Sequence, residues 1–295
     1  MTIGPANDRK PPSERGVAFS LSGPGFHTGK PNRLSLSIRE GHVGTASIGG
    51  VERVVWGDGA EPVAQGRCTR AGGVGPLEHL SAAALAHGVR GWCLAADHED
   101  LPIFDGSAKI WSEAFGFLAG TAPVFEEVGF CPTRPMVWTS TRGGIIEVSP
   151  SDVFAMRVEW TPGPCGPEVW QGGSAALAEI LVARTFVFVD DWLAARKAGY
   201  LLGTDASNGR LLRGDPSPEA LGLAIELGVD PGSEAWTGGA ARMANECAAH
   251  KAMDLVGDIG CWIGYLPRLS IFARDAGHDL HHLLGRALRD APAIH

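Results

Sequence analysis

The chain has 295 residues, 44% of them hydrophobic, which is enough for one large domain or two medium ones with a real core. Its formal net charge of -8, without a long basic stretch, argues against a nucleic acid as the main partner. No run approaches the roughly 20 apolar residues that a membrane span requires, so no transmembrane segment is expected.

The cysteines and the N-terminal residues indicate a cellular compartment. The six cysteines are dispersed and none form a CxxC pair, which favours a reduced protein over a disulfide scaffold. The first residues, MTIGPANDRKPPSERG, contain no apolar run and do not have the character of a signal peptide. We therefore expect a soluble cytoplasmic protein with a disordered tail over residues 1–15.

The first half of the chain alternates strand and helix patterns. Leu34, Leu36 and Ile38 alternate with polar residues, which predicts a half-buried strand over 32–40. An Ala- and Leu-rich run predicts a helix over 75–89 that ends near Gly88. A strand at 91–97, a helix at 108–120 and a Gly- and Pro-rich linker at 123–134 are predicted to follow.

The second half repeats this order. The predicted elements are paired strands at 143–149 and 153–160, a helix at 174–184, an extended segment at 185–191, a helix at 247–264, a strand at 269–274 and a helix at 278–291. The stretch 203–240 is predicted to be irregular, apart from a short helix near 219–227. Strands followed by helices, twice, predict two similar α+β domains, placed at 16–122 and 135–295.

One predicted helix carries polar side chains on an otherwise apolar face. His250, Asp254 and Asp258 follow one another at intervals of four residues, so they lie along one stripe of the helix. A His and an Asp at this spacing can share one metal ion. The alternative is a solvated helix face, because the same pair recurs by chance in many chains.

A second candidate is the Glu78-His79 pair at the predicted start of a helix. His79 would be a third metal ligand beside its own general base, and the alternative is a capping glutamate next to a surface histidine. With His250 and Asp254, His79 completes a two-His, one-Asp set with an open fourth position, which is typical of catalytic Zn²⁺. Ferrous iron could compete at such a set.

Amide hydrolysis also needs a base and an acid. Glu78 would take a proton from water, and His278 is a candidate to protonate the leaving nitrogen. Asp258 could keep His278 charged, since a nearby carboxylate raises a histidine pKa. His281 and His282 are rivals for the same role.

Several ordered blocks resemble the family of UDP-3-O-acyl-N-acetylglucosamine deacetylases, LpxC. They are GPGFHTGK (23–30), CT (68–69), LEHLSAAALAHGV (77–89), LPIFDGSA (101–108), ARTFVF (183–188), HKAMDLVGDI (250–259) and GHDLHHLL (277–284). The resemblance reaches from about residue 20 to residue 288. It implies two β-α-α-β domains packed face to face, each with a small insert.

The resemblance also implies roles for individual residues. His79, His250 and Asp254 would hold zinc, Glu78 would be the base, and His278 would be the acid tuned by Asp258. Thr185 would donate to the oxygen of the tetrahedral intermediate, Phe186 would line the sugar site, and Lys251 would meet a polar or phosphate group of the substrate. His27 and Asp105 are expected to have structural roles in loops.

The surroundings of these blocks depart from the family pattern. Trp192 stands where a smaller aliphatic residue is usual, so it either fills the passage for a fatty chain or forms one wall of it. Asp205 is a poor neighbour for an alkyl chain. Asp275 replaces a basic residue near the expected phosphate site, and Arg274 could offset its charge.

The leading hypothesis is zinc-dependent removal of the N-acetyl group of UDP-3-O-(3-hydroxyacyl)-N-acetylglucosamine, the committed step of lipid A synthesis. The second is the same hydrolysis on a different or unacylated N-acetyl sugar, which Trp192 and Asp205 motivate. The third is a binding protein without catalytic activity on the same scaffold. In the first two cases the partner is a nucleotide sugar or another small molecule, and a monomer is expected.

Overall fold

The structure is a computed structural model that describes residues 17–128, 132–163, 167–205 and 207–291. The tail predicted over 1–15 lies outside the described residues, as do Cys131 and Cys165. Among the described residues, no helix is both long enough and apolar enough to cross a bilayer.

Each half of the described chain begins with a run of strands, and helices follow. In the first half they are Phe19–Pro24 (β1), Pro31–Ile38 (β2), Val43–Ile48 (β3), Val51–Gly57 (β4), Val63–Gln65 (β5), Cys68–Arg70 (β6), Glu78–Ala86 (α1), Trp92–Ala96 (β7) and Lys109–Ala119 (α2). In the second half they are Glu127–Val128 (β8), Met136–Thr139 (β9), Ile145–Pro150 (β10), Ala155–Trp160 (β11), Glu168–Gly173 (β12), Leu177–Ile180 (α3), Phe186–Phe188 (β13), Val189–Lys197 (α4), Arg210–Leu212 (β14), Pro218–Leu227 (α5), Glu246–Ile263 (α6), Leu266–Pro267 (β15), Leu269–Arg274 (β16) and His278–Arg289 (α7).

Two five-stranded sheets share one strand order. The first runs β1-β2-β7-β3-β4, and the second runs β9-β10-β16-β11-β12. In each sheet the central strand is antiparallel to one neighbour and parallel to the other. Each repeat therefore has four strands, a helix, the central strand and a second helix, with further elements inserted. The α+β fold is confirmed, with more strands in each repeat than the β-α-α-β pattern implies.

The helix α6 contacts elements of both repeats. α6 contacts β11 and β12 of the second sheet, β4 of the first sheet, and α1. Every residue of α1 is buried, which its small alanine side chains permit because neighbouring elements can approach closely. β8, within the predicted linker, pairs in parallel with β15. The domain boundaries at 122 and 135 stay predictions.

The alternating apolar pattern explains which side chains of the sheets are buried. Leu34 and Leu36 of β2 are buried, as is Leu94 of the neighbouring β7. In the second sheet, Val148 of β10 and Ile271 of β16 are partners in register and both are buried. Burial of side chains at alternate positions fixes the register, because a one-residue slip would turn them outward.

The predicted pairing of the strands at 143–149 and 153–160 is wrong. Both segments are strands, β10 and β11, but β16 lies between them. Ile271 of β16 is opposite Val148 on one side and Met156 on the other. An apolar strand from far along the chain thus separates two neighbours in sequence, which local alternation does not reveal.

The predicted helix at 174–184 is shorter than expected. A 3₁₀ turn spans Ser174–Ala176, and α3 ends at Ile180. The backbone then leaves the helix, and Arg184 forms a buried ion pair with Glu246 at 2.8 Å. The same backbone places the carbonyl of Ala183 beside His250. Tertiary partners therefore override the helical propensity of this segment.

The extended segment predicted at 185–191 is correct only for β13. α4 begins at Val189, and Asp190 and Asp191 occupy its first turn, where acidic side chains stabilise a helix. The short helix predicted near 219–227 is confirmed as α5, while β14 lies in a stretch predicted to be irregular.

Candidate active site

Two helices, α1 and α6, approach each other so closely that no side chain fits at two positions of α6. A Cβ at Gly257 of α6 would lie 2.0 Å from the carbonyl oxygen of Glu78 in α1, and one at Gly260 would lie 2.5 Å from Oγ of Ser81. The Ser81 hydroxyl donates to the carbonyl of Gly257 at 2.6 Å and accepts from the indole of Trp56 at 2.8 Å. The glycines thus bring α1 against α6 at the level of their polar residues.

The side chains predicted to hold a metal come together at this contact. One ligand atom each of His79, His250 and Asp254 lies within 4.8 Å of the others. Nε2 of His79 and Nε2 of His250 are 3.6 and 3.3 Å from Oδ1 of Asp254. All three side chains are buried, and Oδ1 of Asp254 has no hydrogen-bond partner among the described residues. Because an unpaired buried carboxylate oxygen is costly, these residues fit a cation.

Neighbouring groups orient these side chains. Nδ1 of His250 lies 3.3 Å from the carbonyl of Ala183, to which it donates, so its Nε2 lone pair faces the site. Burial lowers the pKa of His250 to about 3, which keeps the imidazole neutral, as a ligand must be. Burial opposes ionisation of Asp254, but His250 and Lys251 hold its pKa well below the usual range.

Glu78 is fixed through one of its two carboxylate oxygens. Oε2 accepts the backbone N–H of Thr69 at 2.9 Å and that of Leu77 at 3.0 Å. Among the described residues no donor meets Oε1, so this oxygen is available to a water or a substrate. Burial raises the pKa of Glu78 above its ordinary value, and the charge of His278 opposes that rise. A raised pKa makes the carboxylate a stronger base.

His278, the first residue of α7, forms an ion pair with Asp258. Its Nδ1 lies 2.7 Å from Oδ2 of Asp258. Burial opposes a charge on the imidazole, but Asp258 outweighs it and raises the pKa of His278 to about 9. His278 is therefore protonated at neutral pH and can give a proton away.

The two rival histidines lie behind this pair. Nδ1 of His281 donates to the same Asp258 oxygen at 2.8 Å. His282 contacts Thr69 and Trp262. Burial lowers the pKa of both rivals, and neither lines the cavity that His278 lines. The geometry favours His278 as the proton donor.

A cavity of about 830 Å³ opens beside these groups. Glu78, His79, His250, Asp254 and His278 form one part of its lining. The rest comes mainly from the turn between β5 and β6 and from parts of residues 185–211. The candidate reacting groups therefore share one cavity of the size that holds a small-molecule ligand.

Three of the predicted substrate-contacting residues line the cavity together: Thr185, Phe186 and Lys251. The ammonium of Lys251 donates to Oδ2 of Asp254 at 2.9 Å and lies 5.4 Å from the ring centroid of Phe186. The Lys251 ammonium is also 5.7 Å from the ring of Trp160, a cavity residue to which the sequence assigned no role.

Trp192 also lines the cavity, and its indole is held from two sides. Nε1 donates to the hydroxyl of Thr204 at 2.8 Å, and the guanidinium of Arg196 lies 4.8 Å from the ring. The ring packs on a buried apolar cluster that includes Phe26 and Leu201. Trp192 is therefore a fixed wall of the cavity.

Arg274 lies apart from the other predicted site residues. Its guanidinium donates to Glu159 at 2.8 Å, the side chain is 49% exposed, and it is not among the cavity-lining residues. Asp275 accepts hydrogen bonds from the backbone and hydroxyl of Thr161. Asp105 accepts from Ser107 and pairs with Arg242, consistent with the loop role expected of it.

Thr69 is the site residue that local sequence could not reveal. It touches both Glu78 and Asp258, yet 189 positions separate it from Asp258 along the chain. The Cys-Thr pair stood out only as part of a resemblance. Its chemistry depends on a contact that forms only when β6 and α6 meet.

An α+β fold with a buried His-His-Asp group, a carboxylate and a charged histidine at one cavity is the architecture of a hydrolytic enzyme. The chain belongs to the LpxC family, UDP-3-O-acyl N-acetylglycosamine deacetylase, whose model matches residues 16–290.

Curated relatives bear the name UDP-3-O-acyl-N-acetylglucosamine deacetylase. The chain is 27% identical to the one from Leptospira biflexa over 291 residues, which covers 92% of this chain and 87% of the relative. It is 27% identical to the one from Trichormus variabilis, with 73% of each chain covered. It is 26% identical to the one from Helicobacter hepaticus, with coverages of 91% and 86%.

Proposed function

We propose that this chain hydrolyses the N-acetyl group of UDP-3-O-acyl-N-acetylglucosamine, with Zn²⁺ held by His79, His250 and Asp254. The observation that carries the proposal is the buried Oδ1 atom of Asp254. It has no hydrogen-bond partner within the described part of the chain, and it lies 3.6 and 3.3 Å from Nε2 of His79 and Nε2 of His250. The family and the names of the relatives supply the substrate.

The chain's own residues provide the proton transfers. When bound, Zn²⁺ acts as a Lewis acid that polarises the amide carbonyl and makes water easier to deprotonate. Glu78 takes a proton from the attacking water at Oε1, because the backbone of Thr69 and Leu77 already occupies Oε2. His278 then protonates the leaving nitrogen from Nε2, since Asp258 engages its Nδ1.

Other cavity residues orient the substrate in this proposal. The hydroxyl of Thr185 donates a hydrogen bond to the oxygen on which negative charge develops. Phe186 packs on the sugar, and Lys251, held over the Phe186 ring, meets a polar or phosphate oxygen. Arg274 requires a change of partner from Glu159 before it can meet a phosphate.

Two variants separate metal binding from turnover. Asp254→Ala should lose zinc and acetate release together, because it removes one ligand. Glu78→Gln keeps the shape and the backbone contacts, so we expect retained zinc and a loss of turnover on the order of 10²-fold or more. Metal content by elemental analysis and acetate release on the acylated substrate measure both. Wild-type turnover retained in Glu78→Gln would contradict the role of Glu78 as the base. A wild-type chain that binds zinc and releases no acetate would favour a scaffold that only binds.

A second candidate is the same reaction on an unacylated N-acetyl sugar. The observation that favours it is the fixed indole of Trp192 in the cavity wall, together with the carboxylate of Asp205. Pure protein should be given acylated and unacylated UDP-N-acetylglucosamine in parallel. Acetate release from the acylated form alone excludes the second candidate, and preference for the unacylated form supports it.

A further inference from the structure

Asp258 is a buried carboxylate that side chains meet on both oxygens. Oδ2 accepts from Nδ1 of His278 and Nδ1 of His281, at 2.7 and 2.8 Å. Oδ1 accepts from the hydroxyl of Thr69 at 2.5 Å. Among the described residues, Thr69 is the side chain that fixes Oδ1. The orientation of the carboxylate, and hence of His278, depends on that hydroxyl.

Trp262 and His282 determine which way the hydroxyl hydrogen of Thr69 points. An indole N–H can only donate, so Nδ1 of His282 must accept from Trp262 at 2.8 Å. Neutral His282 then carries its hydrogen on Nε2 and donates it to Oγ1 of Thr69 at 3.0 Å. Burial lowers the pKa of His282, in agreement with the neutral form. The one hydroxyl hydrogen of Thr69 is thereby left for Asp258.

Thr69 contacts Glu78 through its backbone and not through its hydroxyl. Its backbone N–H donates to Oε2 of Glu78 at 2.9 Å. A side-chain substitution therefore removes the contact with Asp258 and leaves the contact with Glu78 in place. This separation makes the role of the hydroxyl measurable.

We propose that Thr69 is a positioning residue: its hydroxyl, directed by Trp262 through His282, holds Asp258 in the orientation that sets the Nδ1–H bond of His278. The inference rests on the proposed function, because it assigns His278 a part in the reaction. Thr69 acts through Asp258 and His278 and donates nothing to the substrate.

Thr69→Val and Thr69→Ser form a matched pair. Valine keeps the shape and the backbone N–H but removes the hydroxyl, so kcat should fall on the order of tenfold, with KM and zinc content unchanged. Serine keeps the hydroxyl and should restore most of the rate. Wild-type kcat in Thr69→Val, or a loss that serine does not restore, overturns the inference.

A double-mutant cycle distinguishes positioning from general stability. In a His278→Gln background, Thr69→Val should cause little further loss of kcat, because the residue on which it acts is already gone. An additive loss overturns the inference. If Thr69→Val does not fold, Trp262→Phe provides the second variant, since it releases Nδ1 of His282. Its loss of kcat should likewise vanish in the His278→Gln background.

A measurement that does not depend on turnover tests the role of Thr69 separately from the proposed function. The Nδ1–H of His278 should give a slowly exchanging proton signal by ¹⁵N-edited NMR in the wild-type chain and in Thr69→Ser, and the signal should be lost in Thr69→Val. If the wild type releases no acetate, the proposed function fails while this signal still tests the hydrogen bonds. A signal unchanged in Thr69→Val overturns the inference.

Discussion

At the scale of single residues, Glu78 and His278 are complementary because their surroundings favour opposite charge states. Burial raises the pKa of Glu78, but two backbone donors still hold the carboxylate. Burial disfavours a charged His278, but the adjacent Asp258 reverses that effect. One cavity therefore holds a base and a proton donor at the same pH.

The pH dependence of the reaction follows from these two shifts. Glu78 must be ionised, so kcat/KM should fall as the pH drops through a pKa above the ordinary value of 4.5. His278 must be protonated, so kcat/KM should also fall as the pH rises through about 9. A pH-rate profile measures both limbs. In Asp258→Asn the alkaline limb should move down toward the usual histidine value of 6.5, and an unmoved limb would contradict the assignment.

Sequence spacing anticipates residues that share a helix and misses those that meet across the fold. The spacing of His250 and Asp254 predicts that they act together, because four residues make about one helical turn. Thr69 and Trp160 had no such signal, since each contacts a helix far from it in sequence. The ion pair of Arg274 with Glu159 was missed because the two lie on adjacent strands, β16 and β11.

At the scale of elements, the contact between α1 and α6 determines whether the candidate ligands meet. His79 lies on α1, and His250 and Asp254 lie on α6. Gly257 sits between Asp254 and Asp258 on the face that touches α1, where its missing side chain allows the approach. The glycine is thus part of the site, although it offers no ligand atom.

Gly257→Ala should force the two helices apart. The added Cβ would lie 2.0 Å from a backbone oxygen that cannot rotate away. We expect a loss of roughly 1–3 kcal/mol in unfolding free energy and weaker zinc binding, measured by denaturant unfolding and metal titration. Gly222→Ala in α5 is the control. Apart from its chain neighbours and its own helix backbone, no atom of the described residues lies within 4 Å of the added Cβ. It should raise stability by about 0.5–1 kcal/mol. Equal behaviour of the two variants would contradict the role of Gly257.

The sequence predicted helices better than it predicted strand partners. α1, α2, α6 and α7 carry their own Ala- and Leu-rich patterns, so local propensity locates them. In the two five-stranded sheets, the patterns do not predict β1, β3, β4, β9 and β12, and they predict β16 without its place between β10 and β11. Strand pairing depends on distant partners, which alternation alone does not identify.

At the scale of the whole molecule, the candidate metal site joins two repeats of the fold. One ligand comes from the helix that precedes β7 and two come from the helix that precedes β16. A cation bound there would cross-link elements from the two halves of the chain. Binding to the folded state alone raises stability by mass action.

Removing the metal should therefore lower the melting temperature. At a free zinc concentration of 100 times Kd, the expected stabilisation is about 2.7 kcal/mol. Calorimetry with a chelator, and after zinc is added back, should show a reversible shift in Tm. Asp254→Ala provides the control, since its Tm should not respond to zinc. A wild-type Tm that changes neither with the chelator nor with added zinc would rule out a metal bound across α1 and α6.

The cavity walls and the reacting groups lie on different parts of the chain. Glu78, His79, His250, Asp254 and His278 belong to buried helices or helix starts, while the turn between β5 and β6 and the segment from β13 to β14 supply much of the surrounding wall. Substitutions in those outer segments should therefore change which molecules the cavity admits and leave the candidate proton donors and acceptors in place. We expect directed evolution limited to the outer segments to yield new selectivities without new reacting groups.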